Sequence, residues 1–126
     1  MKGNMMTQAE HIATICAQHE IVIGSHTSGG RAFRKSRRIK IRPVKSAVTY
    51  AIALHEIGHI LGKRQSGNRI DKEVGAWEWA KTNAIEWTPV MTKTMTRCLS
   101  SYLRWTQRSK RAVKPESGHP VYALIG

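Results

Sequence analysis

Apolar positions along this chain switch between a helical period and a strand period, and the switches outline its elements. Thr7-Gln8-Ala9-Glu10 is a capping box. Behind it Ile12, Ile15, Cys16 and His19 recur at i, i+3, i+4 and i+7, which predicts a first amphipathic helix. Ile21-Val22-Ile23 is a short β-branched run and reads as a strand. Ser25 to Gly30 is a polar turn ending in two glycines, and Ala32-Phe33 are expected to begin a second strand. Arg38-Ile39-Lys40-Ile41-Arg42 alternates strictly, with both isoleucines on one face and three cations on the other. That is the pattern of a half-buried strand. Pro43 stops it, and its lysine and the proline predict an edge position in the sheet.

The helical period then takes over. Ser46 is placed to cap a helix over about 47 to 61, whose neighbouring residues Ala51, Ile52, Ala53, Leu54, Ile57, Ile60 and Leu61 are apolar almost all the way round. Such a helix is buried. Gly62 suits its end, followed by Lys63 and Arg64. Asn68, with Asp71 three residues on, starts another helix along which Trp77, Trp79 and then Trp87 are expected to pack against the buried one. Thr88-Pro89 is a cap followed by proline at the first helical position. It opens a further helix with Met91, Met95, Cys98, Tyr102 and Trp105 as the expected buried stripe and Leu99 and Leu103 beside it. Residues 1–114 are expected to form one domain, and 115–126 a mobile tail in which Val121 to Ile125 is the one segment suited to docking as a strand.

Charge changes the picture. Lys and Arg number 21 against 8 Asp and Glu, a net +13. A field of that sign favours acidic partners, either nucleic acid or an acidic protein surface. The cluster Arg31, Arg34, Lys35, Arg37, Arg38, Lys40, Arg42 and Lys45 includes a single aromatic, Phe33, so it makes a poor stacking platform for single strands. The plainer reading of these cations is protection of a sheet edge. Cys16 and Cys98 both fall at apolar helical positions and read as reduced core thiols, not as a disulfide. Met1 to Met6 contains no apolar h-region, and no apolar run reaches the length of a membrane span. The expectation is a cytoplasmic monomer with no membrane partner.

The chemistry lies in the buried helix. His55-Glu56-Ile57-Gly58-His59 has the His-Glu-x-x-His spacing of zinc metallopeptidases. Residues four apart on a helix stand one above the other, so both imidazoles face one spot and suit one Zn²⁺ per chain. Glu56 follows the first ligand directly and is placed to act as general base on a water that zinc has acidified to a pKa of about 7. In an apolar helix, two imidazoles and a carboxylate are costly without partners, and a metal supplies one.

Catalytic zinc usually takes a third protein ligand. A continuation Gly-x-x-His after the second histidine fails here, because Gln65 stands where the histidine belongs. The downstream carboxylates are Asp71, Glu73, Glu78 and Glu86. Glu73 lies in Glu73-Val74-Gly75-Ala76, followed by Trp77-Glu78-Trp79-Ala80 and, farther on, Pro89. Over about residues 48 to 89 the chain thereby resembles gluzincin metallopeptidases, whose third ligand is the glutamate of Glu-x-x-Ala on the next helix. More narrowly it resembles the ImmA/IrrE family, whose small members are common in phages and mobile elements. Trp77 stands where that family has a small polar residue.

The resemblance implies an α+β fold: a small zincin-like domain with a short, mostly antiparallel three-stranded sheet on the His-Glu-x-x-His helix and two to three further helices. It also implies peptide hydrolysis, which in some members is directed at transcriptional repressors. By position it implies His55, His59 and Glu73 as ligands and Glu56 as base. Asp71 stays as the second choice for third ligand, although it lacks the Gly-Thr-x-x-Asp context of aspzincins. Tyr50, Tyr102, His26 and His119 are the residues able to hold an oxyanion, with Tyr50 projecting away from His55. Arg38, Lys40 and Arg42 are expected to flank a substrate paired with their strand. The rival expectation is a basic module binding nucleic acid or an acidic protein, with zinc structural or absent.

Overall fold

A computed structural model of the chain describes residues 6–126. Met1 to Met5, most of the stretch read above for a signal, lie outside these residues. The elements run α1 (Gln8–Gln18), β1 (Val22–Ser25), β2 (Gly30–Phe33), β3 (Arg38–Ile41), α2 (Ala47–Leu61), α3 (Arg69–Asn83), α4 (Pro89–Arg108) and α5 (Pro120–Ile125). The class is α+β, with five helices and an open three-stranded sheet among the described residues. No helix among them is long and apolar enough to cross a membrane.

Side-chain caps start the helices where the sequence places them. Thr7 and Glu10 exchange hydrogen bonds of 3.0 and 2.8 Å at α1. Ser46 and Thr49 do the same at α2, and Asn68 and Asp71 at α3. Each pair satisfies backbone donors that a helix start leaves open. Between the caps the apolar stripes bury. Tyr50, Leu54, Ile57, Ile70, Val74, Trp77, Met91, Met95 and Leu99 form one core with Ile12, Ile39 and Val121.

Three expectations change. The sheet is mixed: β1 runs parallel to β3, β2 antiparallel to it, in the order β1-β3-β2. The basic strand Arg38–Ile41 is therefore central, not an edge. Its isoleucines sit in the core, with Ile39 wholly buried, so pairing on both sides protects what is the most buried strand. Second, four helices accompany α2, not two to three. The fourth is α5: residues 120–125 are helical, neither strand nor free tail, because Val121 is fully buried in the core and His119 Nε2 meets Asp71 Oδ1 at 2.6 Å. Third, the buried stripe of α4 runs through Met91, Thr94, Met95, Leu99 and Thr106. Cys98 and Tyr102 are half-buried and Trp105 is exposed, because the core lies to one side of the expected line. Cys16 and Cys98 are both free.

The packing of α2 on α3 decides where the site forms. A Cβ on Gly58 of α2 would collide with the carbonyl of Ala76 in α3, and a Cβ on Gly75 with the carbonyl of Lys63. With hydrogen in those places the two backbones touch. Residues on their facing sides then come within hydrogen-bonding reach of each other.

Candidate metal centre

His55 and His59 lie one turn apart on α2, with ring centroids 4.6 Å apart. Glu73, from the second turn of α3, comes in between them. Its Oε1 is 2.8 Å from His55 Nε2 and its Oε2 3.0 Å from His59 Nε2. One donor atom from each residue lies within 4.8 Å of the others, close enough to hold a metal ion. His55 and Glu73 are buried and His59 half-buried. Asp71 stands outside this group. Its oxygens are taken by the backbone N–H of Asn68 and by His119.

Charge holds the three together. Burial pushes His55 towards a lower pKa, but the carboxylates of Glu56 and Glu73 outweigh it and raise the imidazole to about 9. Burial pushes Glu73 up, but hydrogen bonds and charge from His55 and His59 outweigh it and hold the carboxyl at about 2. A proton on His55 thus occupies the place that a cation would take.

The imidazoles are fixed from behind. His59 Nδ1 lies 3.0 Å from Gln65 Oε1. Gln65 is buried, and its amide nitrogen donates to the carbonyls of Lys63 and Lys72 at 2.9 Å each. With the nitrogen committed there, the oxygen faces His59 and accepts from its Nδ1–H, which aims Nε2 at Glu73. His55 stacks on Trp77, with centroids 4.3 Å apart and planes 16° apart. Trp77 is wholly buried, as expected of a residue packed on α2, and its Nε1 has no hydrogen-bond partner among the described residues.

Glu56 lines the cleft beside the cluster without joining it. Its Oε2 is 3.5 Å from His55 Nδ1. Gly30, the first residue of β2, leaves it room: a Cβ there would lie 2.9 Å from both Cγ and Oε2 of Glu56. The cleft has a volume of about 570 Å³. Arg31 and Arg34 stand on its β2 side, Arg69 and Lys72 on the first turn of α3, with His26 and Tyr102 also on its wall.

Arg38, Lys40 and Arg42 do not line it. The first two lie over the Phe33 ring, at 5.1 and 5.6 Å from its centroid, and Arg42 follows the central strand. Of the four residues considered for an oxyanion, Tyr102 and His26 reach the cleft. Tyr50 is buried, its hydroxyl 2.6 Å from His11 Nδ1 and accepting from the Ile85 N–H. His119 is spent on Asp71.

Gln65, Gly30, Ala32, Arg69 and Lys72 are cleft residues to which sequence reasoning gave no site role, and it named Arg31 and Arg34 only within the basic cluster. A polar residue in a Gln-Ser-Gly loop carries no sign that it will be buried, and cations 38 residues apart carry none that they will face one another. Compared with protein-family models, curated proteins and solved structures, the chain matches none.

Proposed function

We propose that this protein is a zinc-dependent endopeptidase, with His55, His59 and Glu73 as metal ligands and Glu56 as general base. One observation carries the reading: Glu73 comes from a second helix to lie between two imidazoles on the first, while Glu56 lines the cleft beside them, its Oε2 3.5 Å from His55 Nδ1. Two imidazoles and a carboxylate are a donor set of catalytic zinc sites that keep a fourth position open. When bound, zinc supplies a Lewis acid and lowers the pKa of a water to about 7.

The chain's own residues do the rest. Glu56 takes the proton of the attacking water and returns it to the leaving amine. Tyr102 and His26 are the hydrogen-bond donors on the cleft wall for the carbonyl oxygen. His26 accepts from the Ser28 N–H at Nδ1, which leaves Nε2 as its donor. Extended substrate pairs with β2, whose outer edge has no partner in the sheet and whose Gly30, Arg31 and Ala32 line the cleft. Arg31, Arg34, Arg69 and Lys72 favour a segment with carboxylate side chains.

Casein cleavage together with elemental analysis tests this. Wild type should carry one zinc and cleave. Glu56→Gln should keep zinc and lose cleavage, because an amide cannot take the proton. Glu73→Ala should lose zinc, and Asp71→Ala should keep it. Zinc retained in Glu73→Ala, or equal cleavage by Glu56→Gln, removes the assignment. Zinc without cleavage in wild type would leave a structural metal on a binding module.

A further inference from the structure

The longest helix carries a second pattern besides its buried stripe. Lys93, Arg97, Arg104 and Arg108 of α4 are all exposed. At 3.6 residues per turn their directions fall within about 60° of one another, and the line from Lys93 to Arg108 is about 22 Å long. Ser100 and Ser101 fill the middle of the line. Met95 and Leu99 point to the opposite side, into the core. Three more cations, Lys110, Arg111 and Lys114, follow in the next six residues. From Trp87 to Pro115 there is no carboxylate at all. A solvated helix face normally mixes both signs, because i,i+4 pairs of opposite charge support the helix. This face forgoes that support.

The stripe also looks away from the metal cleft. Tyr102, the α4 residue that lines the cleft, points more than 100° round the helix from Lys93, Arg97, Arg104 and Arg108. A ligand on the stripe therefore leaves the cleft open.

We propose that this face of α4 is a docking surface for the phosphate backbone of a double-stranded nucleic acid, read without regard to sequence. Its chemistry separates it from other surfaces. A protein partner needs an apolar or aromatic centre, and serines occupy the centre here. A membrane surface needs a free apolar face, and that of α4 is spent in the core. Single strands need stacked aromatics, and Trp105 alone lies near the line. Cations, hydroxyls and no carboxylate are what phosphate oxygens select. The inference stands apart from the peptidase reading.

Binding of a mixed-sequence DNA duplex, followed by fluorescence anisotropy between 50 and 200 mM salt, tests it. Wild type should bind with a steep salt dependence. Replacing Lys93, Arg97, Arg104 and Arg108 by Gln should weaken binding on the order of 100-fold or more and reduce the log–log salt slope by about 3 to 4, since each phosphate neutralised contributes about 0.9. A control with the same charge change, Lys35, Arg38, Lys40 and Arg42 to Gln, should keep most of both. Circular dichroism and zinc content check that both variants are folded. Equal losses in the two variants would reduce the effect to net charge and overturn the site. So would unchanged binding by the α4 variant, absence of duplex binding by wild type, or polyglutamate bound as tightly as the duplex.

Discussion

Gln65 Oε1 lies 3.0 Å from Nδ1 of His59, from the chain position where a third histidine ligand is missing. Gln65 instead orients an imidazole of the candidate metal centre. Replacing it removes three hydrogen bonds at once. Gln65→Ala should lower zinc affinity by about 10- to 100-fold, the usual consequence of losing a ligand's outer partner. Competition against a chromophoric chelator measures this. A variant that unfolds earlier but binds zinc as tightly as wild type would leave Gln65 a loop tether only.

Gly30 and Glu56 test the cleft geometry without touching a ligand. A methyl group at residue 30 meets the carboxylate end of Glu56 at 2.9 Å, so the carboxylate must move. Displacing a catalytic group by about 1 Å costs on the order of 100-fold. Gly30→Ala should therefore reduce kcat against casein by about 10- to 100-fold and leave zinc content unchanged. Undiminished turnover would show that Glu56 does its work from some other position.

Under the proposed function, protons and metal compete at His55. In the metal-free protein its pKa is raised from 6.5 to about 9, so its contribution to stability is full below about pH 6.5 and is lost as pH rises through 9. The pKa of Glu73 is lowered from 4.5 to about 2, so its contribution is present above about pH 4.5 and lost as pH falls through 2. Metal-free protein should be most stable between those windows, near pH 4.5 to 6.5, in thermal melts. Zinc must displace the His55 proton, so zinc affinity should climb from pH 6 to 9 with proton release visible by calorimetry. A flat affinity over that range would remove His55 from the ligand set.

Arg31, Arg34, Arg69 and Lys72 face the cleft, and under the proposed function they favour an acidic substrate. Arg31→Ser combined with Arg69→Ser should raise KM for a peptide rich in Glu and Asp by about 10-fold, with little change for a neutral peptide, and should flatten the salt dependence of kcat/KM. The matching change at Arg38 and Lys40, which do not line the cleft, should do neither.

What the sequence alone determined about this protein is local. Helix starts follow from caps whose partners are three residues apart, and α2 spans the residues expected of it because Ser46, the apolar run and Gly62 bound it. His55 and His59 share a face because four residues make about one turn. Spacing of that kind is independent of the rest of the fold. What the tertiary structure decided joins distant residues. Strand Arg38–Ile41 reads as an edge from its cations, but a parallel partner from β1 and an antiparallel one from β2 make it central. Asp71 and Glu73 are two residues apart, and along the chain only the Glu-x-x-Ala resemblance favours Glu73. Their separation came from the contact of Gly58 with Ala76, which turns Glu73 to the imidazoles and leaves Asp71 to His119 on α5. Gln65 acquired its role only when α3 closed over the loop, and the cleft cations theirs only when β2 and α3 faced each other across α2. Hydrogen-bonding and steric fit over those distances depend on how helices pack, and no period along the chain encodes that.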